Sequence, residues 1–167
     1  MKRPEVIDWL RDMSVVGGVF DGIISVVHPG QYDYFKQQLR KEGVRFPLVR
    51  EWPFAFGACQ LIMNRESLFH RDPSSSGNFL DLLTSIGDYG DQAYFALKTF
   101  GVSVPYTSGT VQLSLSRWIE HGVPAVDGRR LALTLFSKDV VCKQWELDGS
   151  KKVVARPKLS SVIASVI

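Results

Sequence analysis

Three histidines occur in the 167 residues, and two of them stand where a metal ion could use them. His70 lies in Phe69-His70-Arg71-Asp72, at the end of a short apolar stretch. Strand residues two apart point the same way, so His70 and Asp72 present an imidazole and a carboxylate side by side. His121 follows much later, in Glu120-His121-Gly122-Val123-Pro124. Two imidazoles and one carboxylate on one face of an octahedron make the triad of non-haem Fe(II) oxygenases, with three positions left for co-substrate and O2. His-x-Asp alone is a weak signal, expected by chance in roughly one chain in five of this composition. Its place between strands, the later histidine and a basic residue beyond it strengthen the reading.

That basic residue is Arg130, or its neighbour Arg129, in Gly128-Arg129-Arg130-Leu131-Ala132-Leu133-Thr134-Leu135. A strand-borne guanidinium can grip a distal carboxylate such as that of 2-oxoglutarate through a two-pronged, charge-assisted hydrogen bond. Arg130 shares a strand face with Ala132 and Thr134, whereas Arg129 shares one with three leucines, so the polar pocket is assigned to Arg130. A bulge would reverse that choice. Asn64 falls on the face of His70 and Asp72 if the strand is regular, and is a candidate co-substrate contact; the alternative is an asparagine capping its own backbone. Arg71 points away from the metal and Asn78 follows the Ser74-Ser75-Ser76-Gly77 loop, so both are candidate substrate contacts at the mouth. His28, in Val27-His28-Pro29-Gly30, has no nearby carboxylate and reads as a helix-approach histidine. Cys59, among apolar residues, reads as buried and inert.

The elements that must carry these residues change texture along the chain. Pro4 suits a first helical position, with Ile7, Leu10 and Met13 in helical rhythm. Gly17-Gly18 is expected to interrupt any helix. A second helix is predicted from about Gly30 to Lys41, with Tyr34, Phe35 and Leu39 on one side and Gly43 as its stop. From Trp52 the pattern turns to strands: 52–64, 68–72, 79–86, 93–99, 102–106, 111–116 and 130–136, with Gly87-Asp88-Tyr89-Gly90 and Thr107-Ser108-Gly109 as turns. A closing helix is expected from Leu159, Val162, Ile163 and Val166. Short strands after a helical start argue for a sandwich or barrel with flanking helices.

The bulk numbers suit one domain, 1–167, with a helical part over about 1–50, a strand core over about 51–147 and a C-terminal packing segment. A formal net charge of +3 permits a polyanionic partner without demanding one. Cys59 and Cys142 lack C-x-x-C spacing, so a thiolate zinc site is not expected. No signal peptide and no membrane span are read, and no obligate protein partner is evident. The expected location is intracellular, nucleus or cytoplasm. The apolar end at Ile167 also suits a piece of a longer chain.

The order His-x-Asp, strands, His, Gly-x-Arg on a closing strand resembles the double-stranded β-helix dioxygenases. Met63-Asn64-Arg65-Glu66-Ser67-Leu68-Phe69-His70-Arg71-Asp72, then Gly87-Asp88-Tyr89, then His121-Gly122-Val123, resembles the TET/JBP-like group found in fungi. The likeness spans about half the chain, from Trp52 to Phe136. It implies an α+β fold with a double-stranded β-helix (jelly-roll, cupin-like) core and flanking N-terminal helices. It also implies iron ligation by His70, Asp72 and His121. The implied reaction is oxidation of a C–H bond by Fe(II), O2 and 2-oxoglutarate, with release of succinate and CO2. The substrate it implies is a methylated nucleobase in DNA or RNA. Hydroxylation of a small molecule or protein side chain is the alternative activity. A non-catalytic binding domain on the same fold is the alternative class, and a cupin-type site would need more histidine ligands.

Overall fold

The computed structural model describes residues 4–147; the closing helix expected over 159–166 lies outside them. The chain divides into two compact units, one holding the helices up to Ala55, the other Phe56–Leu147.

In the first unit, α1 (Pro4–Asp12) starts on its proline and buries Leu10. Helix α2 spans Ser14–Val27 and α3 spans Pro29–Arg45. His28 is the cap between them: its Nδ1 accepts the amide of Gln31 at 3.1 Å, and Pro29 fills the first helical position. Asp21, buried on α2, accepts the amide of Ala55 at 2.6 Å and Lys36 Nζ at 2.8 Å, tying α2, α3 and the end of the unit together. Two expectations are corrected. Gly17-Gly18 does not interrupt the helix, because Gly17 is the point where α2 meets Pro53: a Cβ there would lie 2.5 Å from the Pro53 carbonyl oxygen. Gly43 does not stop α3, which continues two residues to Arg45; its carbonyl accepts Arg50 Nε at 2.7 Å.

These contacts give opposite expectations for adjacent glycines. Gly17→Ala overpacks the Pro53 contact and should cost about 1–3 kcal/mol. Gly18→Ala enters open space on a helix and should gain about 0.5–1 kcal/mol. Urea unfolding of the two variants measures both signs.

The second unit carries eight strands: β1 (Ala58–Met63), β2 (Ser67–His70), β3 (Asp81–Gly87), β4 (Tyr94–Leu97), β5 (Val102–Pro105), β6 (Val111–Ser114), β7 (His121–Val123) and β8 (Arg130–Phe136). A helix, α4 (Asp139–Leu147), follows them. The strands form two four-stranded sheets ordered β1-β8-β3-β6 and β2-β7-β4-β5, every pairing antiparallel. The pairs 1–8, 2–7, 3–6 and 4–5 mean that the chain runs as one long hairpin doubled at the β4–β5 turn and wrapped into two layers. Between the layers pack Tyr89, Phe95, Tyr106 and Val123, with Leu83 of β3 against them.

The expected strand over 52–64 forms only from Ala58, where β8 supplies partners; 47–51 is a 3-10 turn opened by Pro47. His121 lies on a strand of its own, three residues long and buried throughout, too short for its period to show. Helix α4 was not expected; Asp139 in its first turn pairs with Lys143 at 2.7 Å and Arg117 at 3.6 Å.

Candidate metal centre

His70 and His121 are direct cross-strand partners on β2 and β7. The register there gains one residue on β2 between Ser67 and His70, a bulge, which re-aims the end of β2. Asp72 follows the strand, its amide held by the Ser116 carbonyl at 3.0 Å while its own carbonyl accepts the amide of Ser75 at 3.0 Å. Nε2 of His70 lies 3.7 Å from Asp72 Oδ1, and Nε2 of His121 lies 3.7 Å from Oδ2. One ligand atom from each of the three falls within 4.8 Å of the others, so the group could hold a metal ion.

The donor chemistry fits a metal. The Nδ1 atoms of His70 and His121 sit 2.7 Å from the Leu68 carbonyl and 2.9 Å from the Ile119 carbonyl. Neutral rings donating there carry the Nε2 lone pair toward Asp72, as ligating histidines do. Burial lowers the His121 pKa, against the raising effect of the Ile119 carbonyl, so the ring is neutral at pH 7. Phe95 stacks on His121 with centroids 5.4 Å apart and planes 12° apart, fixing the ring. An ion about 2.1 Å from each donor would draw the three together by a fraction of an ångström per side chain.

These donors open on a cavity of about 240 Å3 between the sheets. Arg130, Thr134, Gln60 and Tyr106 contribute to its polar lining. Arg130 is buried, at 4% exposure. Its side chain donates to the Arg65 carbonyl and has no carboxylate partner among the described residues. Burial raises the Tyr106 hydroxyl pKa, with the Arg130 charge opposing.

The other sequence candidates are placed as follows. Arg129 points out and pairs with Asp88 at 3.2 Å; no bulge moves it inward, because β8 pairs in continuous register from Arg130. Asn64 has φ 48° and exchanges two bonds with the Arg130 backbone, at 2.7 and 2.8 Å. It therefore ends β1 and pins the start of β8, and it does not line the cavity of the triad. Arg71 and Asn78 are exposed and also lie outside the cavity lining. Cys59 and Cys142 are free thiols, and burial pushes the Cys59 pKa up. Tyr106 and Gln60 were missed; each stood in a predicted strand with nothing to mark its face. Asp81 was missed too, although a charge inside Phe79-Leu80-Asp81-Leu82-Leu83 is the kind of local conflict that marks a special site.

Burial pushes the Asp81 carboxyl up to about 7, with Asp72 adding repulsion and Ser116, Ser75 and the Ser137 amide pulling the other way. An unfolded aspartate titrates near ~4. Between those values the folded chain keeps a proton that the unfolded chain has lost. The stabilisation is thus complete below about pH 4 and is lost as pH rises to about 7, on the order of 2–4 kcal/mol. Urea midpoints of the metal-free protein at pH 5 and pH 8 should show this decline, and Asp81→Asn should flatten it.

No family model and no curated protein matches the chain. Among solved structures, NgTET1 in complex with 5mC DNA is similar over 52% of this chain at 17% identity, with a TM-score of 0.47. This chain spans about a third of that one, at 35%.

Proposed function

We propose that the chain is an Fe(II)- and 2-oxoglutarate-dependent dioxygenase built on a double-stranded β-helix. The strand order supports the fold reading: pairs 1–8, 2–7, 3–6 and 4–5 in two four-stranded sheets are what an eight-stranded jelly roll requires. The observation that carries the activity is the shared cavity. Two imidazoles and a carboxylate face it, and so does a buried guanidinium without an anionic partner among the described residues.

A buried, uncompensated charge is costly. An anionic co-substrate reaching from the metal to Arg130 removes that cost. His70, Asp72 and His121 would hold the Fe(II), which supplies O2 activation and co-substrate chelation when bound. Arg130 binds the distal carboxylate with its fork of donors; Thr134 and Tyr106 add hydroxyls to the lining of the same cavity. Phe95, Val123 and Leu83 give the cavity its apolar lining. Arg71 and Asn78, exposed and outside the cavity lining, are kept as candidate substrate contacts on the sequence reading alone. A methylated nucleobase is the favoured substrate, on the sequence resemblance of the 63–72, 87–89 and 121–123 segments. A small molecule or protein side chain is the alternative.

Succinate release with Fe(II) and 2-oxoglutarate, with and without methylated DNA, tests the reading. Iron-dependent release stimulated by the DNA is expected. Release that ignores nucleic acid and responds to a metabolite would remove the substrate reading alone; no iron binding and no release would remove the enzyme reading.

A further inference from the structure

Asp81 is an ionisable group 1% exposed, facing inward from β3. It stands directly across from Ser114 of β6. The hydroxyls of Ser75 and Ser116 and the amide of Ser137 face its carboxyl. The ring is only partly closed: Oδ1 of Asp81 and the hydroxyls of Ser114 and Ser116 lack a hydrogen bond of ordinary geometry. Leucine in its place would need no compensation for burial, as at Leu83 two residues on. The carboxyl is compensated only through the segments it gathers.

Those segments are the ones that hold Asp72. The 72–76 turn is attached at Ser116, through the Asp72 amide, and at Ser137, whose carbonyl accepts the Ser76 amide at 2.7 Å. It is closed on itself by the Ser75 amide on the Asp72 carbonyl at 3.0 Å, and clamped from outside by Arg117 Nη1 on the Ser75 carbonyl at 2.9 Å. The groups that bear on the Asp81 carboxyl are therefore Ser75 of the turn and both of the turn's anchors, Ser116 and Ser137. Asp72 itself is partly exposed and bonded only through its backbone and its weak 3.7 Å approaches to the two histidines. Among the described residues no hydrogen bond to its carboxylate fixes its orientation.

We propose that Asp81 is a positioning residue for the metal carboxylate, setting the place of Asp72 through Ser75, Ser116 and Ser137. The proposal rests on the metal reading of His70, Asp72 and His121. Losing a hydrogen-bonded partner behind a metal ligand typically weakens metal binding about 10- to 100-fold, and that range is expected for Asp81→Ala.

Co(II) titration of the full chain, followed by visible absorption well below the unfolding temperature, tests it. Wild type is compared with Asp81→Ala, Asp81→Asn and Leu135→Ala. Leu135 is fully buried on β8, paired across the sheet with Cys59 and Leu82, and its variant is the control expected to lose stability without losing Co(II) affinity. Asp81→Ala should weaken Co(II) binding at least about tenfold, and Asp81→Asn, which keeps shape and an acceptor oxygen, should recover most of the loss. If Asp81→Ala fails to fold, the Ser75→Ala/Ser116→Ala double variant carries the same expectation. Equal affinity in wild type and in the variant read overturns the proposal, as does a loss of the same size in Leu135→Ala or no recovery in Asp81→Asn. Failure of wild type itself to take up Co(II) sinks the metal reading and this proposal together, whereas uptake by wild type and Asp81→Ala alike sinks the proposal alone.

Discussion

Asp72→Ala should abolish metal uptake while leaving the protein folded. The carboxylate is the one anionic donor of the three and lies between the two imidazoles, 3.7 Å from each. Its loss leaves two neutral nitrogens facing a divalent ion. That should cost more than a supporting hydrogen bond does, so affinity should fall by well over about 100-fold. His121→Ala should do the same to the metal, and would also leave a hole beneath Phe95 because His121 is buried at 2% exposure. His70 is the more exposed ligand, its side chain 40% accessible, and His70→Ala should lose metal with little change in unfolding temperature. Equilibrium dialysis with Mn(II) or Co(II), read beside thermal melts, separates the two effects.

Arg130→Met should weaken 2-oxoglutarate binding and spare the metal. Two charge-assisted hydrogen bonds to a carboxylate are together worth about 2–4 kcal/mol, equivalent to about 30- to 1,000-fold in affinity. Methionine keeps much of the volume and removes a buried cation that has no counter-charge among the described residues, so stability should hold or rise. Arg130→Lys keeps the charge but not the fork, and should recover only part of the affinity. Arg129→Met is the control: it breaks a solvent-exposed pair with Asp88 and should leave 2-oxoglutarate binding unchanged. Titration of the metal-loaded variants with 2-oxoglutarate gives the constants. A normal affinity in Arg130→Met would mean that the cavity's cation serves another anion or none.

The residues of the candidate site were legible because their signals are local. His70 and Asp72 declare themselves by a spacing of two, and Arg130 by sharing a face with Ala132 and Thr134 on a strand whose bounds, 130–136, were read correctly. What brings His121 to His70 is pairing between β2 and β7 across a long stretch of chain, and no period within three residues could show it. The bulge in β2 and the left-handed Asn64 break the alternation that would have put Asn64 on the ligand face. Gly17 and Gly43 were read by intrinsic propensity, and the structure gives both to close packing instead. Tyr106 and Asp81 acquire their meaning only from neighbours distant in sequence, Arg130 for one and Ser116 and Ser137 for the other.

The central claim is that His70, Asp72 and His121 jointly hold one divalent ion. Anomalous diffraction at the iron edge, from crystals grown with Fe(II) and 2-oxoglutarate without O2, tests it most directly. The account expects one strong peak about 2.1 Å from Nε2 of both histidines and an oxygen of Asp72, with the co-substrate's far carboxylate on Arg130. A fully loaded crystal with no peak there, or with its iron held by other residues, would contradict it.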